Sequence, residues 1–190
     1  MTYALLLANL AAFLCESRLD DTQLSSLLLW PLGSGFRIWQ PLSSAFIHAD
    51  VGHFATNMFG LWMFGRPVEG ALGARRFAAL YFASLATAAA TQLLVTGLLT
   101  DKVPTLGASG TVFGVLAAYA ALFPNRRVML LFPPIPMKAK LFVFLYAVLE
   151  LWSGITGFQP GVAHFAHLGG LIGGLSLLGY WRHSDPRPGP

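Results

Sequence analysis

The chain has 190 residues, of which 55% are hydrophobic and only 11% are charged. Soluble globular domains carry about 25% charged residues, so this composition excludes a soluble domain and indicates one compact integral membrane bundle. The formal net charge is +4, but the basic residues lie in short loops between apolar runs, which indicates membrane topology signals and excludes nucleic acid as a partner.

Apolar runs long enough to be membrane spans recur along the whole chain. A helix that crosses the hydrocarbon core needs about 20 residues. The predicted spans are residues 1–18, 51–68, 75–98, 109–123, 138–156 and 162–182. The predicted fold class is therefore all-α, a polytopic bundle of six transmembrane helices. Residues 1–182 form its core, and residues 183–190 form a short, disordered cytoplasmic tail.

The segment 19–50 separates the first two predicted spans. It is too polar and too rich in Pro and Gly to cross a membrane, yet it contains Trp30 and Trp39. Tryptophan is enriched at the boundary between lipid and water. We therefore expect this first loop to lie in the interface, with both indole rings at headgroup level.

The distribution of Lys and Arg predicts the orientation in the membrane. With six spans, alternate loops share a side, and cytoplasmic loops carry the excess of basic residues. Three basic residues fall on one side, namely Arg18, Arg37 and Lys102; the other nine are Arg66, Arg75, Arg76, Arg126, Arg127, Lys138, Lys140, Arg182 and Arg187. Both termini are thus predicted to be cytoplasmic, and the compact form favours a bacterial inner membrane.

The fourth span is too short to cross the membrane alone. Its 15 residues from Ser109 to Phe123 extend about 21 Å, against a hydrocarbon core of about 30 Å. Pro104 and Gly107 prevent the helix from continuing outward. Non-helical backbone at that depth is tolerated only where it is buried in protein or faces water. The sequence therefore predicts an aqueous cavity with Ser109 at its floor.

Two other spans bring polar side chains to the same depth. His53 and Asn57 are four residues apart, on one face of the second span. Counted from the outer ends of their helices, Asn57 lies about 9 Å deep and His167 about 8 Å deep. A serine, an amide and a histidine thus reach one level.

Pairs of small residues predict which helices touch. Gly110 with Gly114, and Gly170 with Gly174, are spaced for close helix packing. His167, Gly170 and Gly174 follow one stripe of the sixth span. If the two glycine stripes pack together, His167 lies beside Ser109.

A serine and a histidine at one level are the elements of nucleophilic catalysis. A neutral imidazole can take the hydroxyl proton, and donors such as the Asn57 amide, His53 and the backbone N–H of Ser109 can stabilise an oxyanion. Asp50 lies at the rim and Glu150 lies in another span, so no carboxylate is expected to orient the base. The predicted unit is a Ser–His dyad, and Glu150 is expected to have an interior partner that the sequence does not identify.

Three motifs in this order resemble the rhomboid intramembrane serine proteases. They are "GASG" at the start of the short helix, "HFATN" on an earlier helix and "AHLGG" on the last. The resemblance extends over nearly the whole chain. It implies a six-helix core, no cofactor, and cleavage of transmembrane segments of other proteins within the lipid bilayer.

The resemblance also implies a role for each matching residue. Ser109 would be the nucleophile and His167 the base, with His53 and Asn57 as oxyanion contributors. Phe113 would pack on the base, and Gly107 and Phe113 would belong to the substrate-binding site. Many members have Trp-Arg in the first loop where this chain has Trp39-Gln40, so Arg37 is expected to anchor the loop instead.

Other interpretations remain open at this stage. His164 lies one turn from His167 and is the second candidate for the base. Zinc binding is a further possibility, with His48, His53, His164 and His167 as ligands, although no Cys or carboxylate completes that set. His48 alone is expected to fix its loop by hydrogen bonding. The alternative functions are a catalytically silent relative that binds transmembrane segments for quality control, and a small channel or transporter.

Overall fold

The computed structural model describes residues 1–99, 103–129 and 134–184, and most of them are helical. The helices are α1 (Thr2–Glu16), α2 (Asp21–Leu27), α3 (Gln40–Ser43), α4 (Val51–Leu72), α5 (Ala74–Leu99), α6 (Ser109–Leu122), α7 (Ala139–Thr156) and α8 (His164–Ser184), with a 3₁₀ turn at Ser44–Phe46. Each of the six predicted apolar runs coincides with one of the longer helices.

The fold is mainly helical, as predicted, and the structure adds details that the sequence does not predict. Two short strands, β1 (Arg127–Met129) and β2 (Pro136–Lys138), pair antiparallel between α6 and α7. The first loop is partly helical, since it contains α2 and α3. Helix α8 continues through Ser184, two residues beyond the predicted sixth span. Residues 185–190, which complete the predicted tail, and residues 100–102 lie outside the described residues.

The apolar surface of the helices is that of a membrane protein. Helices α5 and α7 are long and apolar enough to cross a membrane, while α1 and α6 are apolar but shorter. Helix α7 leaves large apolar side chains exposed along its length, among them Phe144, Leu149 and Ile155. A surface of this kind is unfavourable in water and favourable in lipid.

Helix α6 is the centre of the bundle. Its residues from Gly110 to Ala120 are buried, with the exception of Val112, which is partly buried. Helices α4, α5, α7 and α8 all contact it. Glycine and alanine make up six of the 14 residues of this helix, so neighbouring helices can approach its backbone closely. The short helix is therefore enclosed by protein, and its first residue, Ser109, belongs to the candidate site.

The predicted contact between the glycine stripes of α6 and α8 is confirmed. A Cβ added to Gly174 would lie 2.5 Å from the carbonyl oxygen of Gly114, and a Cβ on Gly170 would collide with the carbonyl of Gly110. On another face of α8, Gly169 and Gly173 leave no room for a Cβ beside threonines of α5. The backbone of α8 thus meets the backbone of α6 on one face and mainly threonine side chains of α5 on another.

The first loop is anchored by Gln40, not by Arg37 as expected. The Gln40 side chain is 1% exposed. Its Oε1 accepts from the backbone N–H of Trp30 (3.2 Å) and of Arg37 (3.0 Å), and its Nε2 donates to the carbonyls of Ser26 and Gly35, both at 3.3 Å. The Arg37 side chain is exposed. Gln40, the residue that follows Trp39, therefore holds the loop through its side-chain amide.

The first loop in turn fixes the segment that precedes α6. Leu29 and Thr105 exchange two backbone hydrogen bonds of 2.9 Å, and the Gly107 N–H donates to the Ser44 carbonyl at 2.9 Å. These bonds satisfy backbone groups that have no helical partner.

Substituting Gly170 with alanine tests the packing of α6 on α8. The added methyl meets the Gly110 carbonyl, so the helices must separate, and overpacking of this kind costs about 1–3 kcal/mol. We expect Gly170→Ala to lower the thermal unfolding midpoint of the protein in detergent.

Gly179→Ala is the matched control on the same helix, because a Cβ there meets nothing within 4 Å. It is expected to leave the midpoint unchanged or slightly raised, since alanine favours helix more than glycine does. Equal midpoints for the two variants would show that the glycine contact does not limit the packing.

Candidate active site

The structure brings Ser109 and His167 into direct contact. His167 Nε2 and Ser109 Oγ are 2.7 Å apart. Ser109 is the first residue of α6 and His167 is the fourth residue of α8. The histidine is 7% exposed, whereas the serine is partly exposed. A buried base is thus hydrogen bonded to a hydroxyl that is accessible from one side.

Two aromatic rings fix the plane of the imidazole. Phe113 stacks on His167 with ring centroids 4.4 Å apart and an interplanar angle of 5°. Tyr146 stacks on Phe113, with centroids 5.1 Å apart and an angle of 15°. Phe113 is one turn after Ser109 on α6, so the helix that supplies the hydroxyl also supports the ring that faces it.

A carboxylate does reach the base, contrary to the expectation of a simple dyad. Glu150 Oε2 lies 2.9 Å from His167 Nδ1 and 2.7 Å from His164 Nδ1. The partners of Glu150 are therefore the two histidines of α8. Helix α7 ends at Thr156, and Glu150 is six residues before that end, about 9 Å along the axis. Counting from the outer end of the helix would have placed the carboxylate at the depth of His167.

His164 does not take the position of the base. Its Nδ1 faces Glu150, and its Nε2 lies 2.9 Å from the backbone carbonyl of Phe158. Both ring nitrogens are thereby used. The geometry favours His167 over His164 as the partner of Ser109.

His53 lies beside the segment that leads into Ser109. A Cβ added to Gly107 would be 2.7 Å from His53 Nε2 and 3.8 Å from Ser109 Oγ. His53 Nδ1 accepts from the Ala49 N–H at 3.4 Å, so in the neutral ring Nε2 carries the proton and can donate. Gly107 has φ of +111°, and its missing side chain lets the ring come close to the backbone.

Asn57 is buried one turn below His53. It is 5% exposed, and its Nδ2 donates to the His53 carbonyl at 3.0 Å. Gly60, on the same face, would place a Cβ 3.0 Å from Val112 of α6. This face of α4 is thus directed towards α6, and the second N–H of the Asn57 amide is not used in that hydrogen bond.

His48 differs from its expected role. Its backbone N–H donates to Glu16 Oε1 at 3.1 Å, whereas both ring nitrogens lack a hydrogen-bond partner among the described residues. The ring packs against Phe13, His53 and Phe54. Burial, together with the neighbouring His53 ring, lowers the pKa of His48 to about 4, so the ring is neutral at physiological pH.

The structure assembles a different set of possible metal ligands from the four histidines considered above. Glu150, His164 and His167 offer ligand atoms within 4.8 Å of one another, and all three side chains are buried. Each of these atoms already takes part in a hydrogen bond within the group. Their spacing would accommodate a small cation, but hydrogen bonds among the three side chains account for the same short distances without one.

Fold and site together define a class of protein. It is a helical membrane protein in which a serine at the start of a short, enclosed helix meets a histidine from α8. The family model described as Rhomboid domain matches residues 35–183. The chain belongs to the rhomboid family.

Similar proteins come from mitochondria and from bacteria. Rhomboid protein 1, mitochondrial, of Saccharomyces cerevisiae is 34% identical over 142 residues, which cover 74% of this chain and 40% of the yeast protein. Presenilin-associated rhomboid-like protein A, mitochondrial, of Danio rerio is 30% identical over 149 residues, covering 75% of this chain and 39% of the fish protein. Rhomboid protease GluP of Bacillus subtilis is 30% identical over 139 residues, covering 72% of this chain and 25% of that protein. The chain thus matches less than half the length of these relatives.

Gly107→Ala tests the close approach of His53 to the backbone. The variant places a residue with a side chain at a positive φ, which costs about 1–3 kcal/mol, and it also forces the His53 ring to move. We expect a lower thermal unfolding midpoint than for Gly161→Ala.

Gly161 provides the matched comparison because its φ is +93° and a Cβ there meets nothing within 4 Å. The difference between the two variants isolates the contact with His53. If both midpoints fall equally, the ring is free to move and its position is not fixed by Gly107.

Proposed function

We propose that this protein is an intramembrane serine endopeptidase that cleaves transmembrane segments of other membrane proteins. The observation that carries the proposal is the 2.7 Å contact between Ser109 Oγ and His167 Nε2. Membership of the rhomboid family supports it, and one relative is named as a protease. The proposed domain is one helical membrane core over residues 1–182.

The proposed chemistry proceeds through an acyl-enzyme. Ser109 Oγ attacks the carbonyl carbon of the scissile peptide bond while its proton passes to His167 Nε2. The imidazolium then gives that proton to the departing amine. Water attacks the resulting ester, its proton passes to His167, and the acid product leaves as Ser109 regains a proton. The chemistry uses no cofactor.

The oxyanion that forms in both steps needs fixed donors. The proposed donors are the backbone N–H of Ser109, the Nε2–H of His53 and the free N–H of the Asn57 amide. The N–H of Ser109 belongs to the first turn of α6, where backbone N–H groups have no partner within the helix. A Cβ added to Gly107 would lie 2.7 Å from His53 Nε2 and 3.8 Å from Ser109 Oγ, and these distances support a role for His53. Gly107 and Phe113 are proposed to border the bound substrate.

The substrate must be locally unwound before it can react. In a transmembrane helix each peptide carbonyl accepts a hydrogen bond, so the helix hides the bond that is cut. Transmembrane segments that contain small, helix-weak residues near the outer surface are therefore the proposed substrates, and the lipid bilayer is the medium through which they arrive.

The proposed location is a bacterial inner membrane with both termini in the cytoplasm. The support is the count of nine basic residues on one side against three on the other. Some relatives are named as mitochondrial, so a mitochondrial inner membrane is the competing location. A reporter that is active only in the cytoplasm, fused to either terminus, checks the orientation.

Ser109→Ala and His167→Ala test the assignment of nucleophile and base. Each is expected to lower kcat for a model transmembrane substrate by about 10⁴-fold or more. Thermal unfolding of Ser109→Ala should stay close to that of the parent, and His167→Ala should remain folded with a lower midpoint. A fluorophosphonate should label the parent at Ser109 and should label neither variant. Cleavage by the parent should be the same with and without EDTA.

Full activity in either variant would exclude the proposed protease mechanism. A parent that binds the substrate without cutting it or reacting with the fluorophosphonate would instead be a catalytically silent binder. Loss of activity in EDTA would point to a metal at Glu150, His164 and His167.

His53→Ala and Asn57→Ala test the oxyanion donors. Removal of one such donor costs about 10²–10³ in kcat. We expect a loss of this size in kcat for each variant with KM little changed, because the oxyanion exists only in the transition state. A variant that raises KM and keeps kcat would be a substrate-binding residue instead.

A further inference from the structure

A cluster of ionisable side chains lies behind the base, on the side away from Ser109. It consists of Glu150 on α7 with His164 and His167 on α8, and we refer to it as the His–Glu–His cluster. The three residues are 5%, 6% and 7% exposed. A single oxygen, Glu150 Oε2, faces one nitrogen of each ring, at 2.7 Å and 2.9 Å. The Ser–His chemistry proposed above does not use this carboxylate.

The backbone carbonyl of Phe158 fixes the proton on one side of the cluster. A carbonyl oxygen only accepts hydrogen bonds, so the 2.9 Å contact requires a proton on His164 Nε2. The 2.7 Å contact between His164 Nδ1 and Glu150 Oε2 requires one more proton, located on either atom. If that proton is on Oε2, it points towards His164.

The remaining contact then fixes the tautomer of His167. Because any proton on Glu150 Oε2 is directed at His164, the 2.9 Å contact with His167 must use a proton on His167 Nδ1. Nε2 of the neutral ring is left with a lone pair, and it faces Ser109 Oγ at 2.7 Å. This is the tautomer that a general base needs.

The proton count also makes the cluster electrically neutral. The carboxylate contributes −1, and the additional proton between His164 Nδ1 and Glu150 Oε2 contributes +1, while the two imidazoles are otherwise neutral. A buried charge without compensation is unfavourable, more so beside lipid, and an unpaired carboxylate would destabilise the fold. His164 supplies the compensation, and its second nitrogen is held by the chain.

We propose that Glu150 is a positioning residue for His167, and that His164 balances its charge by sharing one proton with it. This inference rests on the proposed serine protease function. The unit would be Ser109–His167–Glu150, with His164 as the fourth member, instead of a dyad. Glu150 does not touch the substrate and acts only through the imidazole.

The consequence for the reaction is that Glu150 stabilises the charge on His167. When Ser109 Oγ bonds to the substrate carbon, its proton goes to His167 Nε2, and the imidazolium keeps its Nδ1 proton on Glu150 Oε2. The proton shared with His164 can then lie on His164 Nδ1, which leaves the carboxylate fully ionised between the two rings. The oxyanion balances the positive charge that the cluster gains.

The test of the positioning role is Glu150→Gln, which preserves the shape and removes the charge. The amide can present an N–H to His167 Nδ1 and so favour the tautomer with the proton on Nε2. In a serine protease with a buried aspartate, the corresponding change lowers kcat by about 10⁴. We expect kcat against a model transmembrane substrate to fall by at least about 10²-fold and by no more than about 10⁴-fold. KM should be unchanged.

A spectroscopic measurement follows the tautomer without relying on activity. The ring nitrogens of ¹⁵N-histidine-labelled full-length protein in detergent report which nitrogen of His167 is protonated. Signals are assigned with His167→Ala, and Ser109→Ala is included as an inactive protein that keeps Glu150. We expect the proton on Nδ1 in the parent and in Ser109→Ala, and a shift towards Nε2 in Glu150→Gln.

The control on α7 is Leu149→Ala, an exposed neighbour of Glu150, which should keep the parent kcat and spectrum. Glu150→Gln with the parent kcat, or with an unchanged His167 signal, overturns the positioning role. If Ser109→Ala retains activity, the proposed function fails, while the spectrum still tests the bond between His167 and Glu150.

The charge-balancing role of His164 is tested by a double-mutant cycle on stability. His164→Leu removes the histidine that shares a proton with the carboxylate, leaves His167 as its remaining partner, and should lower the thermal unfolding midpoint. Adding Glu150→Gln removes that charge, so the double variant should recover part of the loss. Losses that simply add would show that the two side chains do not share a charge, and would overturn this part of the inference.

Discussion

The site depends on one packing constraint, the contact of α8 with the backbone of α6. Glycine at positions 110, 114, 170 and 174 allows the two helices to meet carbonyl against Cα, with no side chain between them. The spacing of the helices is therefore set by backbone dimensions, which do not vary with rotamer. Ser109 and His167 lie along this contact between α6 and α8, so the backbone contact also fixes the distance between their side chains. A seam of larger side chains would hold the helices apart and make the distance depend on side-chain packing.

The second requirement is that buried polar groups have partners in an otherwise apolar bundle. Glu150, His164 and His167 satisfy one another together with a backbone carbonyl and a serine hydroxyl. Gln40 plays the same part in the first loop, where its amide meets four backbone groups. In each network, protein groups take the place of water as hydrogen-bond partners. Because a buried polar group without a partner is unfavourable, each side chain is held in the position in which its hydrogen bonds are made.

The sequence is informative where a physical rule acts along one helix. Apolar length predicted the helical segments, the short fourth segment predicted where α6 begins, and the glycine spacing predicted the α6–α8 contact. The sequence was less informative where the partners belong to different segments. In the first loop, Arg37 is the predicted anchor because Gln40 stands where many family members have an arginine. The Gln40 amide nevertheless has the donors and acceptors that can bond the backbone of a turn. Glu150 is not predicted beside His167 because it lies on a different span. Only counting from the outer end of α7 places its carboxylate at the depth of His167.

The short strands between α6 and α7 are not predicted from the sequence either, for a related reason. Each contains three residues, too few for an alternating pattern to be visible, and one of them begins with a proline. Pairing between such segments is decided by the positions of the helices on either side. Local propensity carries little information at that length.

The order of the chain gives the bundle a particular history during synthesis. Ser109 precedes His167 by 58 positions, and the carboxylate on α7 also precedes both histidines of the cluster. A growing chain therefore inserts α6, with its hydroxyl, and the loop before it ahead of α8, and it gains the His167 imidazole only when α8 leaves the ribosome. In the proposed mechanism a copy without α8 is inert, so cleavage of peptide bonds begins only in a molecule whose α8 has docked against α6.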